Sequence, residues 1–396
     1  MTEIGEHDLD AVVAGGGPVG LVSAIGLAEL GAKVCVIEPR RKSDFLTGPT
    51  SSRVYAIIPP AKVYLDRIGV WKHLVADRQA FFDAIAVVDE CSGGKLNFPL
   101  LEGCTDHMAW IVEHDNLLYA SLRRLAELKI GQVRGKAVDV VSSERAGAIF
   151  WTEEGRKVGG RLGVIADGAE SLLRGKLDIG IKQHSYNARA CVANVETELN
   201  HNHVARQYFL PSGPLAFLPL PEPNQWSIVW SCDDKKAKEI EDLSCSQISQ
   251  RLVSASNGEL GKVSIRTERS WFPLQLLFAE SWVKGKCVLV GDSAHVIHPL
   301  AGQGLNTGLL DAAALVDSLK FNGHLKNWPR TKDLFSYGRW RKYEARKMGI
   351  ATHFVNTLFH LNDGQFEKIR GIGVNALNRA PILKDWLVAQ AMGGIN

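Results

Sequence analysis

Three stretches of this 396-residue chain combine glycine turns with carboxylates or histidines at spacings that can do chemistry. The first is Gly15-x-Gly17-x-x-Gly20, followed by an acid at Glu38. Between a strand and a helix, such a turn can hold a pyrophosphate. The first glycine permits the tight bend, the second lets the backbone approach the phosphates, and the third lets the helix pack on its strand. The helix N-terminus adds free N–H groups and a positive dipole end. An acid about 20 residues further on suits an adenosine ribose hydroxyl. A solvated strand end ahead of Pro39, Arg40, Arg41 and Lys42 is the alternative reading of Glu38. The second stretch, Leu162 to Gly168, ends an apolar run in Asp167-Gly168, either at a ligand crevice or as a cap for the helix opened by Ser171 and Arg174. The third is GDSAHVIHPLAGQGLN, with Asp292, His295, His298, Pro299, Gly302, Gly304, Leu305 and Asn306. A helix starting near Asn306 would turn free N–H groups toward partial negative charge. His295 and His298 have metal-pair spacing, but no third ligand is placed and Pro299 follows directly, so no metal is expected.

These residues need elements to hold them. Ala11 to Ala14 reads as a buried strand, the alanine- and leucine-rich stretch after the glycines as a helix, and the run ending at Glu38 as a second strand. Strand, turn, helix, strand and acid in that order make a dinucleotide site. Ala11 to Ala28 carries no charge, but its glycines and the preceding Glu3, Glu6, Asp8 and Asp10 argue against a membrane span or a signal peptide, and neither is expected. The polar loop Arg40 to Pro60 should cross the site, where Arg53 could meet a phosphate or ring carbonyl; a surface ion pair is the alternative. A short helix over Ala61 to Trp71, ending near Gly69, would bury Val63, Ile68 and Trp71. Phe81 to Leu100 reads as a hairpin turning at Ser92-Gly93-Gly94, the start of a sheet-built substrate domain. His114 to Leu128 is helical, with Asp115 or Asn116 as caps and Arg123 weighed between a cofactor and solvent; strands follow from Val138 to Trp151.

From Gln183 to Trp282 the pattern alternates as strands rich in aromatics, among them Tyr208, Trp226, Trp230 and Phe272. Such rings are more often sheet core, yet beside a nucleotide crevice they could wall a pocket for a flat apolar substrate. The prolines of FLPSGPLAFLPL demote that segment to edge strands or turns. Arg339 to Asn396 is helical in pattern, with Phe354, Leu358 and Leu361 in one register and Lys368, Arg370, Arg379 and Lys384 among the apolar residues after it. Contact with a membrane is one reading of that basic amphipathic surface, and packing on the nucleotide domain or a partner subunit is the favoured one. A 45% hydrophobic composition supports a large core, and a net charge of +3 gives no reason to expect nucleic acid. Seven cysteines without a C-x-x-C pair indicate reduced thiols in a cytosolic or equivalent compartment.

Gly15-x-Gly17-x-x-Gly20 with Glu38, Asp167-Gly168 and Gly291-Asp292, in this order and spacing, resemble the single-component class A flavoprotein aromatic hydroxylases. HPLAGQGLN, FLPSGPLAFLPL and GVNALNRAPILKDWLVAQAMG look like the ubiquinone-biosynthesis hydroxylases of that class, and the resemblance covers nearly the whole chain. It implies an α/β fold with an α+β substrate part, like that of p-hydroxybenzoate hydroxylase. A Rossmann-type FAD-binding domain (1–75, 101–182 and 283–325) would interleave with an antiparallel-sheet substrate domain (76–100 and 183–282), followed by a C-terminal helical segment (326–396).

The resemblance also implies FAD as cofactor, NAD(P)H as reductant and O₂ as co-substrate. Gly15, Gly17 and Gly20 would hold the pyrophosphate, Glu38 the adenosine ribose, and Asp292 the ribityl chain. Arg53 and Arg123 would contact the cofactor, Asp167 would serve both FAD and NADPH, and Leu305 and Asn306, after Gly304, would offer N–H groups to the isoalloxazine. A C4a-hydroperoxide on the reduced flavin would pass oxygen to a phenol ring without a general base. His298, Pro299 and Gly302 would form the wall facing the reactive edge, Pro299 nearest. Ser51-Ser52-Arg53 stands where many members have Asp-x-Arg, and Ala188 follows Tyr186-Asn187 where glutamine is frequent, so the substrate is left open. A polyprenyl phenol is favoured over a soluble aromatic or a non-catalytic scaffold role, and no W-x-W-x-I-P halogenase segment occurs. The expected location is the cytoplasm. Peripheral contact with the inner membrane, a biosynthetic complex and a homo-oligomer are left open.

Overall fold

The computed structural model describes residues 9–40, 51–100, 107–145, 147–297, 302–319 and 328–360. Strand β1 (Leu9–Ala14), helix α1 (Pro18–Glu29) and strand β2 (Val34–Glu38) follow one another as the apolar pattern requires. Every residue of β1 is buried, because the parallel sheet it centres is covered on both faces. It pairs with β2 on one side (Val12 opposite Cys35) and with Lys157–Ile165 on the other (Val13 opposite Val164). Gly131–Arg134 extends the sheet beyond β2, and Cys287–Leu289 extends it beyond Lys157–Ile165. The hairpin Ala137–Ser143 and Gly147–Thr152 pairs with the first half of Lys157–Ile165. On α1, a Cβ at Gly26 would lie 2.5 Å from the Tyr64 hydroxyl and 2.7 Å from Val316, so this glycine lets two further helices approach.

Among the described residues the second sheet has nine strands. Its long member Ile181–Thr197 pairs antiparallel with Gln225–Asp233 and Ser270–Ala279. Gly213–Pro219, Val204–Leu210, Ala84–Asp89 and Gly94–Pro99 continue the order, the last two being the hairpin around Gly93. One face carries Tyr208, Phe217, Trp226 and Trp230 against Ile240, Ile248 and Leu252 of the helices Asp234–Glu241 and Cys245–Ala255. Most of the aromatics are therefore core. A three-stranded sheet, Val54–Ile57, Ala109–Glu113 and Gln79–Phe82, forms separately.

Several local expectations are corrected. The FLPSGPLAFLPL strands lie inside the large sheet, not at its edge. Pro211 falls in the turn, Pro214 takes the pair next to that turn's end pair, opposite Phe209, and lies outside the ladder with Gln225–Asp233, and Pro219 takes the end pair opposite Trp226. The helix after the polar loop spans Pro59–Arg67 and buries Ala61, Tyr64 and Leu65, leaving Val63 exposed. Neither Asp115 nor Asn116 caps the helix His114–Glu127; Glu113 takes that position without a side-chain cap. Asn116 is instead buried, bonding Val75 through both its N–H and its carbonyl. The last described helix, Thr331–His360, anchors by Leu334, Tyr337 and Ala345, and the Tyr337 hydroxyl donates to the Leu289 carbonyl at 2.9 Å.

Trp226 is fully buried and donates to Thr197 Oγ1 at 2.9 Å. Trp226→Ala should lower unfolding free energy by about 3–5 kcal/mol through the cavity it leaves. Thr197→Val should cost about 1–3 kcal/mol by orphaning the indole N–H. Urea denaturation measures both.

Candidate functional site

The glycines of the first turn serve two different physical ends. Gly15 has φ +113°, and a Cβ there would stand 2.2 Å from the Ala166 carbonyl oxygen; one at Gly20 would stand 2.0 Å from that of Gly15. Chain packing alone demands both. A Cβ on Gly17 meets nothing within 4 Å, so the protein leaves the space above it open, as a pyrophosphate needs. Glu38 is no solvated strand end: it accepts from Gly16 N at 2.6 Å and pairs with Arg40 Nε at 2.6 Å. Burial works against its ionisation, but the hydrogen bonds from Arg40 and Gly16 outweigh it and hold its pKa below the ordinary value. A cavity of about 300 Å³ adjoins it, walled by Gly16, Leu21, Val36, Leu118, Leu122 and Val133. Arg123 is solvent-exposed and lines none of this cavity. Its neighbour Arg124 pairs with Glu29 and Glu127.

Asp167 lies where strand Lys157–Ile165 ends. One carboxyl oxygen accepts from Leu173 N at 3.2 Å, while the other is buried with no partner, and burial raises its pKa. The cap of the following short helix is Ser171, which accepts from Arg174 N. Gly168 (φ +92°) leaves open space beside Asp167. Arg174, buried, donates to the carbonyls of Ala169 and Ser293 and so fastens the second motif to the third. Asp292 opens onto solvent at the crevice, yet the protein around it displaces enough water to raise its pKa, with His295 and Arg53 opposing. Behind it His295 is buried, with Nε2 2.6 Å from Asp311 Oδ2 and its ring stacked on Trp282. Arg341 Nε holds the other Asp311 oxygen at 2.8 Å. His295 thus belongs to an internal ion-pair network. His298 and Pro299 lie outside the described residues, and among the described residues no cluster of metal-ligating side chains forms.

The helix after this turn starts at Gln303, three residues before the expected Asn306, because Gly302 supplies a left-handed N-cap at φ +65°. The N–H groups of its first turn are those of Gln303, Gly304 and Leu305. Asn306 acts through its side chain, accepting from Ile58 N and donating to the Ala56 and Gly302 carbonyls. A Cβ on Gly304 would meet nothing, so the helix end is open above it.

Facing it is the Ser51–Arg53 loop. Glu113, paired with Arg78, accepts from Ser51 N at 2.9 Å, and the Arg53 carbonyl accepts from His114 N. Ser227 of the large sheet donates to the Ser52 carbonyl, turning that sheet's other face toward the loop. The Arg53 guanidinium stands 5.6 Å from the Tyr55 ring and 5.9 Å from that of Phe272, which is 39% exposed. The Tyr55 hydroxyl and His114 Nδ1 share a 2.7 Å hydrogen bond. Burial first, then the Arg53 and Arg40 charges, pushes the His114 pKa down to about 4; burial pushes Tyr55 up to about 12. Both are neutral at pH 7. The sequence pattern gives Arg174 and His114 only as residues that open helices, without a role at the site, and does not single out Tyr55. For His114 the signal is its place at a strand-to-helix junction.

Residues 8–349 match the family described as FAD binding domain. The ubiquinone hydroxylase UbiL of Rhodospirillum rubrum is 32% identical over 97% of this chain and 89% of its own length. The mitochondrial ubiquinone biosynthesis monooxygenase COQ6 of Mus musculus is 30% identical over 96% of this chain and 90% of its own. Among solved structures, p-nitrophenol 4-monooxygenase PnpA from Pseudomonas putida DLL-E4 has a TM-score of 0.79 at 21% identity, covering 99% of this chain and 100% of that one. Its likeness is one of fold, a Rossmann-type nucleotide sheet joined to an antiparallel sheet.

Three outcomes follow from this geometry. Gly17→Ala should leave the thermal unfolding of the apoprotein unchanged and weaken FAD about ten-fold, equivalent to about 1.4 kcal/mol. Gly15→Ala should destabilise the apoprotein itself. Because His114 is held neutral, its contribution to stability is complete above its ordinary pKa of 6.5 and is lost as pH falls toward 4. The urea midpoint of His114→Gln should therefore change less across that window than that of the wild type.

Proposed function

The chain belongs to the FAD binding domain family, together with the ubiquinone hydroxylases, and from that premise we propose that it hydroxylates the ring of a polyprenyl phenol in ubiquinone biosynthesis. It is a flavin-dependent monooxygenase. The observation that carries the reading is the shape of the crevice. Open space lies above Gly17, Gly168 and Gly304, and Asp167 presents a buried oxygen without a partner, a cradle suited to an extended dinucleotide. In our reading NAD(P)H is the reductant and O₂ the co-substrate. FAD held in this crevice would supply the redox chemistry, by which two electrons from the reductant let one atom of O₂ enter the ring and the other leave as water.

The chain's own residues bind and orient. Glu38 and its cavity would take the adenosine, the open space at Gly17 would admit the pyrophosphate, and Asp292 would take the ribityl hydroxyls. The amides of Gln303, Gly304 and Leu305 turn the positive end of their helix toward the ring system. Asp167 accepts a hydrogen bond from the cofactor or its reductant. Phe272 and the apolar residues Leu218 and Val229, on the sheet face opposite the aromatic core, wall the aromatic substrate and keep water from it. Arg53, the cation beside Phe272, favours the phenolate form of the substrate, whose ring is the more electron-rich. No side chain has to act as general base. No described helix is long and apolar enough to cross a membrane, and a polyprenyl substrate calls for peripheral contact with the inner membrane.

The test is to incubate the FAD-loaded protein with NADPH, ¹⁸O₂ and a short-chain polyprenyl phenol, then read the product by mass spectrometry. A product carrying one ¹⁸O on the ring is expected. Turnover confined to unprenylated phenols would move the substrate to soluble aromatics. Flavin that NADPH fails to reduce, with or without phenol, would leave a scaffold role.

A further inference from the structure

The helix Thr331–His360 presents a face that the reaction does not use. Its exposed positions recur with helical period from Lys332 to Thr357, and among its described side chains none of the exposed ones is acidic. The apolar members are large: Trp340 is 52% exposed, Tyr343 62%, Ile350 68% and Phe354 65%. They form one stripe about 21 Å long, at 1.5 Å per residue. Between and beside them stand the exposed bases Lys332, Arg339, Arg346 and Lys347. The nearby acids lie at the margin and are engaged, Asp333 with Arg330 and Glu344 with Lys347. Lys342 stands near both Arg346 and Lys182, with Glu280 beside it, so the charged face reaches the neighbouring sheet strand.

Large exposed apolar groups cost free energy in water, and a patch of them marks a contact surface. The charge pattern selects the partner. Cores of protein interfaces are enriched in aromatics and arginine but depleted in lysine, whereas here the lysines Lys332 and Lys347 stand with the arginines among and beside the rings. A helix lying in a headgroup layer has that arrangement, its rings reaching the acyl boundary and its bases meeting phosphate. We propose that this aromatic and basic face docks the protein on an anionic lipid surface. The opposite side of the helix seats on the protein: His353 Nδ1 bonds the Tyr186 hydroxyl at 3.0 Å, and a Cβ on Gly349 would stand 2.5 Å from Phe278. Phe278 shares its strand with Phe272. Docking therefore brings the strand that walls the crevice beside the bilayer.

The test uses the FAD-loaded full chain without substrate, so its outcome is separate from that of the hydroxylation assay. Flotation is measured with vesicles of phosphatidylcholine alone and mixed with phosphatidylglycerol. Binding to the mixed vesicles, weak binding to the neutral ones and release by salt are expected. Arg339→Ser with Arg346→Ser should weaken the affinity about 25-fold, at about five-fold per charge. Trp340→Ser with Phe354→Ser should abolish flotation while leaving the flavin spectrum unchanged. A wild type that ignores anionic vesicles, or variants that float as it does, would overturn the proposal. So would a wild type that self-associates in place of binding lipid and that either double variant renders monomeric, which would make the face a protein interface.

Discussion

The site depends on one buried carboxylate. Asp311 has no exposed surface, and a charge so placed must be paired on every side or be lost. Burial opposes its ionisation, and His295 and Arg341 outweigh that penalty and hold its pKa below the ordinary value. Its Oδ2 also accepts from Gly291 N at 3.1 Å, in the turn that presents Asp292. Four pieces of chain thus meet at one group: the Gly291-Asp292 turn, the strand bearing His295, the helix whose N-terminus faces the crevice, and the last described helix. Removing one partner of such a pair costs about 3–5 kcal/mol, because the remaining charge is stranded. The crevice keeps its shape for the same reason.

Around this centre the other contacts join the motifs to one another. Arg174 ties the Asp167 loop to the Ser293 carbonyl, and Asn306 ties the helix start to the strand that carries Tyr55. Glu113, paired with Arg78, fixes Ser51 and hence Arg53. Each polar side chain satisfies backbone groups on a segment distant in sequence. That is how glycine turns, which have no side chains to interlock, are held to a common geometry.

Legibility in the sequence followed the range of the interaction. The turn at Gly15, β1 and β2, the hairpin around Gly93 and the helix from His114 rest on local periodicity and turn chemistry, and they read directly. Val63 was misplaced because a short helix gives too few turns to fix its phase. The FLPSGPLAFLPL strands were placed at an edge because strand order depends on partners far away, and the prolines had already been spaced to spare the ladder. Arg123 is conspicuous in the sequence by its charge yet lies exposed, while the neutral pair Tyr55 and His114 stands beside Arg53. Nothing local marks Arg341 as the partner of an acid 30 residues earlier.

That last separation has a consequence in time. The parallel sheet gains its strands from positions as far apart as Leu9 and Leu289, and Asp311 waits for Arg341 until the final described helix is made. A chain still emerging from the ribosome holds the glycine turn and Glu38 early but has no compensated carboxylate behind Asp292. The compensated carboxylate behind Asp292 is therefore complete only once residue 341 is made, and a chain cut short before it would carry the nucleotide signature with Asp311 short of its arginine.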